Sequence, residues 1–427
     1  LYVPGYFEIP IKKGESIIFS ASTEEIKPDG LKRKFISEYN KRIPKNSFKN
    51  CLLNSAQQFI VRREGRTEVV AGFPWFGTWG RDTFIALPGL TMVTGDLKTA
   101  IAVIDTMIQK MEHGLFPNTG SYKHPIFNSV DAPLWFFWTL QQYEKYDPEF
   151  DIWKKYGKTI KEILYAFRHG TSFNIHMTDD GLIYAGEDHV ALTWMDASIK
   201  GEPVNQRAGH PVEVNALWYN AVCQALKWSH RRDYKFHKEW KALPEIIQAS
   251  FIQTFWNENK GYLADYVIND FKDFSVRPNQ IIPVALDFSP LTREMKKSIL
   301  DVVESELLTP RGLRTLAPKN ELYKGTYCGN QEKRDLAYHQ GTVWPWLLEF
   351  FVRGYLDINK MSVLHKVIKL YEGFEEELMS HGIGTISEIY DGNPPHYPRG
   401  SISQAWNVAA LLRISEMIEH FQNEQIL

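Results

Sequence analysis

What most limits the folds open to this chain is helical periodicity without an alternating strand pattern. Beyond a turn at Lys27, Pro28, Asp29 and Gly30, apolar residues recur at intervals of three and four. Asp96 is placed to cap a helix with Leu97, Ile101, Ile104, Ile108 and Met111 on one face and Gly114 as its stop. A second helix runs from Val214 with Leu217, Trp218, Ala221, Val222, Ala225 and Leu226. Ser289-Pro290 opens a third, with Leu291, Met295, Ile299, Val302 and Val303 facing inward. Further helical stretches fit near 47–62, 131–145, 151–170, 233–254, 335–355, 358–376 and 402–420. The connections are rich in glycine, proline and aromatic residues where a βαβ fold would need strands. About a dozen helices with no repeat of 20–50 residues predict an all-α toroid over residues 25–427, not a solenoid.

The first 24 residues read differently. Tyr6 to Ile11, a turn at Lys12-Lys13-Gly14-Glu15, and Ser16 to Phe19 predict two short strands. An isolated hairpin is marginal in water, so this β segment is expected to be the end of a preceding β domain or linker.

Composition removes several classes of function. A net charge of −2 lacks the concentrated basic surface that nucleic-acid binding needs. No apolar run reaches the length of a membrane helix. Cys51, Cys223 and Cys328 are far apart with no CxxC pair, which gives neither a disulfide framework nor a zinc site and suits a reducing cytoplasm. The chain begins Leu1-Tyr2 without methionine, so an upstream segment, a signal peptide included, is compatible with the sequence. Aromatic content is 14%, and such rings stack on sugars as readily as they fill cores.

Three loops carry chemistry. In Phe73 to Thr83, two tryptophans and two glycines surround the pair Arg81-Asp82. Trp79 could support a sugar ring while Asp82 accepts from two hydroxyls and Arg81 orients it; equally, Asp82 could be a helix N-cap in a surface ion pair. In Leu192 to Ala197, Asp196 lies among Trp194, Met195 and Ala197. Apolar surroundings raise a carboxyl pKa toward the range of a general acid, although an aspartate capping a turn would look the same. In Thr385 to Gly392, Glu388 could accept a proton from water, or be a solvated loop residue. Two further segments look like substrate contacts: Arg207 with His210 to Asn215, including Glu213, and Tyr338 to Trp346, including His339, Gln340 and Trp344. There is no HExxH, no close ligand cluster, no GxSxG and no P-loop, so no metal and no cofactor are expected.

Taken together, PWFGTWGRDT (74–83), LTWMDA (192–197), VEVNALWYNA (212–221), HQGTVWPW (339–346), SEIYDG (387–392) and SQAWNVA (403–409) resemble the glucosidase domain of glycogen-debranching enzymes, the amylo-α-1,6-glucosidase family. They fall in the family's order and extend over almost the whole chain from about residue 45. The same landmarks faintly resemble glucoamylases. The resemblance implies an (α/α)6 barrel, hydrolysis with inversion of single α-1,6-linked glucose stubs on glycogen or limit dextrin, and a cytoplasmic enzyme. It further implies that Asp196 is the general acid, Glu388 the general base, and Arg81 and Asp82 the grip on the non-reducing glucose. Nothing here resembles the 4-α-glucanotransferase domain of the large eukaryotic enzymes. A glucoamylase-like α-1,4-glucosidase, a trehalase-like hydrolase and a non-catalytic glucan-binding protein are the competing readings.

Overall fold

The computed structural model describes residues 5–22, 24–121, 124–382 and 384–423. Its centre follows from helices that leave no face to solvent. Every residue of Gly80–Leu87 and of Ile281–Ala285 is buried, as are Ala132 to Tyr143 within Ala132–Tyr146. A helix that is apolar all round must be covered on all sides. These three and three further, mostly buried helices close a ring. Gly80–Leu87 packs on Ala132–Tyr146, which packs on Val212–Ser229, then Ile281–Ala285, Leu347–Asn359 and Ala405–Asn423, and the last returns to Gly80–Leu87.

Six more helices cover the ring from outside: Phe48–Gln58, Leu97–Ile108, Ile152–His169, Leu243–Phe255, Arg293–Glu306 and Leu364–Glu372. These are amphipathic. Ile152–His169 buries Ile152, Tyr156, Ile160, Ile163, Leu164 and Phe167, one stripe at helical spacing, and leaves its other face to solvent. Local signals set their starts: Asp96 accepts from the Thr99 N–H at 3.0 Å, and Asp151 accepts from the Lys154 N–H at 3.0 Å.

Within the ring, Arg413 is buried and ties three helices together. It donates to Glu349 Oε1 at 3.0 Å, Gln142 Oε1 at 2.8 Å and the Tyr146 hydroxyl at 3.2 Å. Two ring segments approach closely at Gly89, in the π-helical turn Pro88–Met92 that follows Gly80–Leu87. A Cβ there would lie 2.3 Å from the carbonyl oxygen of Ala409 and 2.5 Å from its Cα.

Several expectations need correction. Residues 5–22 and 24–27 contain a turn at Lys13-Gly14 but no strand. Tyr6, Phe7 and Phe19 remain exposed, since no sheet lies alongside to supply partners. The third helix starts at Arg293 behind Thr292, whose hydroxyl accepts from the Met295 N–H, and not at Ser289-Pro290. The stretch 233–254 is two helices, Tyr234–Trp240 and Leu243–Phe255, divided ahead of Pro244. The stretch 335–355 is Gln331–Tyr338 and Leu347–Asn359, separated by the strand Val343–Trp344. That strand is the middle of a five-stranded antiparallel sheet running Leu308–Thr309, Gly312–Arg314, Val343–Trp344, Ile389–Tyr390 and Pro398–Arg399. Ladders of two or three residues are too short to print a period of two on the sequence. Cys328 is exposed, whereas Cys51 and Cys223 are half-buried.

Gly89→Ala is expected to lower stability by about 1–3 kcal/mol, because the new methyl meets backbone that cannot rotate away. Denaturant melting measures this, and an unchanged midpoint would show that the two helices are not held in that contact.

Candidate active site

A cavity of about 180 Å³ opens at the N-terminal ends of the ring helices Gly80–Leu87 and Ala405–Asn423. Its wall takes Phe76, Trp79, Arg81 and Asp82 from the first motif and Trp194, Asp196 and Ala197 from the second. Asp335, Tyr338 and Trp344 come from the fourth motif and the helix ahead of it, Glu388 from the fifth, and Gln404 and Trp406 from the last. Chain closure brings the two ends of this set together. Ser403–Gln404 pairs antiparallel with Gly72–Phe73, setting Gln404 opposite Gly72, and the Ala405 N–H donates to the Ala71 carbonyl at 2.8 Å.

Glu388 is 2% exposed and precedes the strand Ile389–Tyr390. Its Oε1 accepts from the Tyr338 hydroxyl, and its Oε2 accepts from the Ser401 N–H at 2.6 Å. Gly400 makes this seat possible. Its φ is +69°, and a Cβ would lie 2.3 Å from Glu388 Oε2, so both conformation and space demand glycine. Burial pushes the Glu388 pKa up to about 7, against the pull of the two donors, and the charge of Asp196 raises it further.

Asp196 sits in a loop fixed from behind. The Trp194 indole donates to Asn279 Oδ1 at 2.6 Å, and Asn279 donates to Asp265 at 2.7 Å. Arg207 donates to Asp265 Oδ2 at 2.8 Å, to the Thr193 hydroxyl at 3.0 Å and to both carboxylate oxygens of Glu213. The Asp196 side chain is 24% exposed. Burial raises its pKa to about 6, opposed by Arg81 and assisted by Asp131.

Asp82 is the third residue of Gly80–Leu87, whose N-cap is Trp79. Burial raises its pKa to about 7; Arg81 works against this, and the charges of Asp196 and Glu388 add to it. Arg81 does not hold Asp82 in a hydrogen bond, contrary to the reading of the two as a pair. Its Nε donates to both oxygens of Asp131, at 2.9 and 2.7 Å. Its Nη2 donates to the Ser129 hydroxyl at 3.2 Å and its Nη1 to Asp196 Oδ2 at 3.3 Å.

Five of the expected substrate contacts, Trp79, Arg81, Asp82, Trp194 and Trp344, line the cavity together with Asp196 and Glu388. Four do not. Arg207 and Glu213 form the buried network described above, behind the Asp196 loop. His339 is fully buried, stacked on Trp344 at 5.2 Å and edge-on to Trp194 at 5.2 Å. Burial and the charges of Arg277, Arg81 and Arg207 hold its pKa well below the usual histidine range, so it is neutral. Gln340 accepts from Arg277 at 2.7 Å and faces a separate groove with Leu322, Lys324 and Glu332. Sequence reasoning did not single out Phe76, Asp131, Asp335, Tyr338, Gln404 or Trp406. Asp131 had a local signal, its place ahead of Ala132-Pro133, but it looks like a helix cap there and its side chain makes no capping bond.

Among the described residues, no group of three or more His, Cys, Asp or Glu side chains is arranged to hold a metal ion. No helix among them is long and apolar enough to cross a membrane.

This chain is 25% identical to the glycogen debranching enzyme of Saccharomyces cerevisiae, over 69% of this chain and 26% of that protein. It is 20% identical to the chloroplastic neutral/alkaline invertase 3 of Oryza sativa subsp. japonica, over 82% of this chain and 63% of that one. The chain thus spans about a quarter of the yeast protein's length and less than two thirds of the rice protein's. Among solved structures, a GH63 mannosylglycerate hydrolase from Thermus thermophilus superposes with a TM-score of 0.63 at 12% identity, covering 86% of this chain and all of that one. An uncharacterized conserved protein from the same organism gives 0.62 at 13% identity, covering 85% of this chain and all of that one. These likenesses establish a helical, barrel-like fold. A family model described as amylo-α-1,6-glucosidase matches residues 54–413, a range that takes in every residue lining the cavity, and the chain therefore belongs to that family of glycoside hydrolases.

Proposed function

We propose that this protein is an inverting, exo-acting α-glucosidase that removes single α-1,6-linked glucose stubs from glycogen or limit dextrin, on an (α/α)6 toroid. The observation that carries this reading is the convergence of three carboxylates, Asp82 and Glu388 buried and Asp196 partly so, with aromatic walls in one cavity of monosaccharide size. The ring of six helices inside six others supports the toroid. The yeast relative is a glycogen debranching enzyme, which supports the linkage. A second reading, a glucoamylase-like α-1,4-glucosidase, uses the same cavity and differs only in what lies beyond it.

In this mechanism Asp196 gives its proton to the glycosidic oxygen as the bond to the anomeric carbon breaks. A water on the opposite face bonds to that carbon and passes its proton to Glu388, so both carboxyls end the turn in exchanged states and reset through solvent. Burial raises the pKa of both carboxyls, Asp196 to about 6 and Glu388 to about 7. The productive form, with Asp196 protonated and Glu388 ionised, is therefore the less populated of the two singly protonated states. Asp82 accepts from hydroxyls of the bound sugar, against Trp79.

Asp196→Asn and Glu388→Gln are each expected to lower turnover by roughly 10²–10⁴-fold or more while dextrin binding persists. Near-normal turnover in either variant would overturn its assigned role. NMR of the released sugar is expected to show β-glucose first, and α-glucose would exclude inversion. Glucose release from maltooligosaccharides, but not from branched dextrin, would move the reading to the α-1,4 enzyme.

The two catalytic carboxyls titrate as a pair, and the productive state carries one proton. A bell-shaped kcat/KM profile is expected, highest between about pH 6 and 7. It falls on the acid side as Glu388 takes up a proton and on the alkaline side as Asp196 loses one. A flat profile from pH 5 to 8 would contradict the pairing.

Asp82 also links the site to stability. Its folded pKa lies above the unfolded value, so the folded state binds the proton more tightly and loses stability as pH rises from about 4 to 7. Asp82→Asn removes that penalty. It is expected to raise the melting temperature by roughly 2–4 °C at pH 8, with the gap closing near pH 4. A gap independent of pH would rule out this origin.

A further inference from the structure

We infer that Asp131 is a positioning residue for the proton donor: by holding Arg81 through Nε with both carboxylate oxygens, it leaves Arg81 able to orient Asp196 without stripping its proton. This rests on the reading of Asp196 as the general acid.

The geometry is specific. Asp131 is fully buried at the head of Ala132–Tyr146, and its side chain makes no bond to the helix it precedes. Its oxygens lie 2.9 and 2.7 Å from Arg81 Nε, and the Ser129 hydroxyl donates to Oδ1 at 2.7 Å. Ser129 also accepts from Arg81 Nη2, so the guanidinium is clamped at two of its nitrogens. The third, Nη1, reaches Asp196 Oδ2 at 3.3 Å. A planar guanidinium fixed in this way presents Nη1 in one direction only, which sets the rotamer of the carboxyl it meets.

Charge explains why a second carboxylate is needed. A lone buried cation beside Asp196 would favour its ionised form and leave nothing to donate. Asp131 balances that cation out of reach of substrate, since it does not line the cavity. The other titratable groups facing Asp196 are Asp82, Glu388, Tyr338 and Asp335 around the same cavity. Apart from Arg81, all are acidic.

A leaving group that needs little protonation provides the test. On α-glucosyl fluoride the departing ion is a weak base, so an impaired acid matters less than it does on a branched dextrin. Asp131→Asn, which keeps shape and removes charge, is expected to lower kcat on dextrin by roughly 10²-fold. On α-glucosyl fluoride its turnover should stay within about tenfold of the unaltered protein, with KM changed less than about threefold on either substrate and the acid limb of the dextrin pH profile moved to lower pH. Equal losses on both substrates with an unmoved limb would make Asp131 merely structural and overturn the inference. If Asp131→Asn does not fold, Ser129→Ala decides instead: it loosens the same clamp and should give a smaller loss confined to dextrin, whereas an equal loss on both substrates overturns the inference. Asp196→Asn serves as the reference. Recovery of that variant on the fluoride upholds the acid assignment whatever Asp131 does, and failure to recover points to the assignment itself.

Discussion

The rest of this molecule depends on one constraint: its central helices have no face that water can wet. Gly80–Leu87 and Ile281–Ala285 are apolar or buried throughout, and neither is long enough to be stable alone. Such segments survive only with neighbours on every side. The ring supplies neighbours on two sides, the amphipathic outer helices supply a third, and bulky rings such as Trp135, Trp138, Trp346 and Phe350 fill what remains. Much of the chain's aromatic content is therefore structural, and only part of it faces the cavity.

Burial also explains the chemistry. Carboxylates are costly to desolvate, and here three are desolvated around one small space. Folding tolerates this because each sits in a different local arrangement: Asp82 in the first turn of a helix, Asp196 beside a balanced guanidinium, and Glu388 under two donors. The same burial that weakens the fold lifts the proton affinities into the neutral range, a familiar trade between stability and activity.

How much of this was legible in the sequence depended on range. A local signal such as the Asp96 cap could be read directly, but the stripe after it was misplaced. The helix ends at Ile108, short of Gly114, and buries Ala100, Val103 and Met107 with Ile104, leaving Leu97, Ile101 and Ile108 half-buried. The identities of Asp82, Asp196 and Glu388 as candidates could also be read, because their motifs are compact. The partners of Arg81 could not be read. Adjacency suggested Asp82, but consecutive residues on a helix diverge by about 100°, and the guanidinium found Asp131 fifty positions on. Arg207, Glu213 and His339 looked like ligands for sugar because buried charge and recognition draw on the same residue types. What separates them is whether partners within the protein already saturate them or pack against them, a property of the folded neighbourhood alone. The N-terminal strands failed for a related reason: strand propensity needs a sheet to join.

The pairing of Gly72–Phe73 with Ser403–Gln404 has a consequence for biosynthesis. The first wall of the cavity precedes Gln404 and Trp406, which complete it, by more than three hundred residues. At about 5–20 residues per second, the helices around Asp82 wait some tens of seconds with apolar faces uncovered. Those faces need shielding during that interval, and closing the ring and completing the cavity are one event.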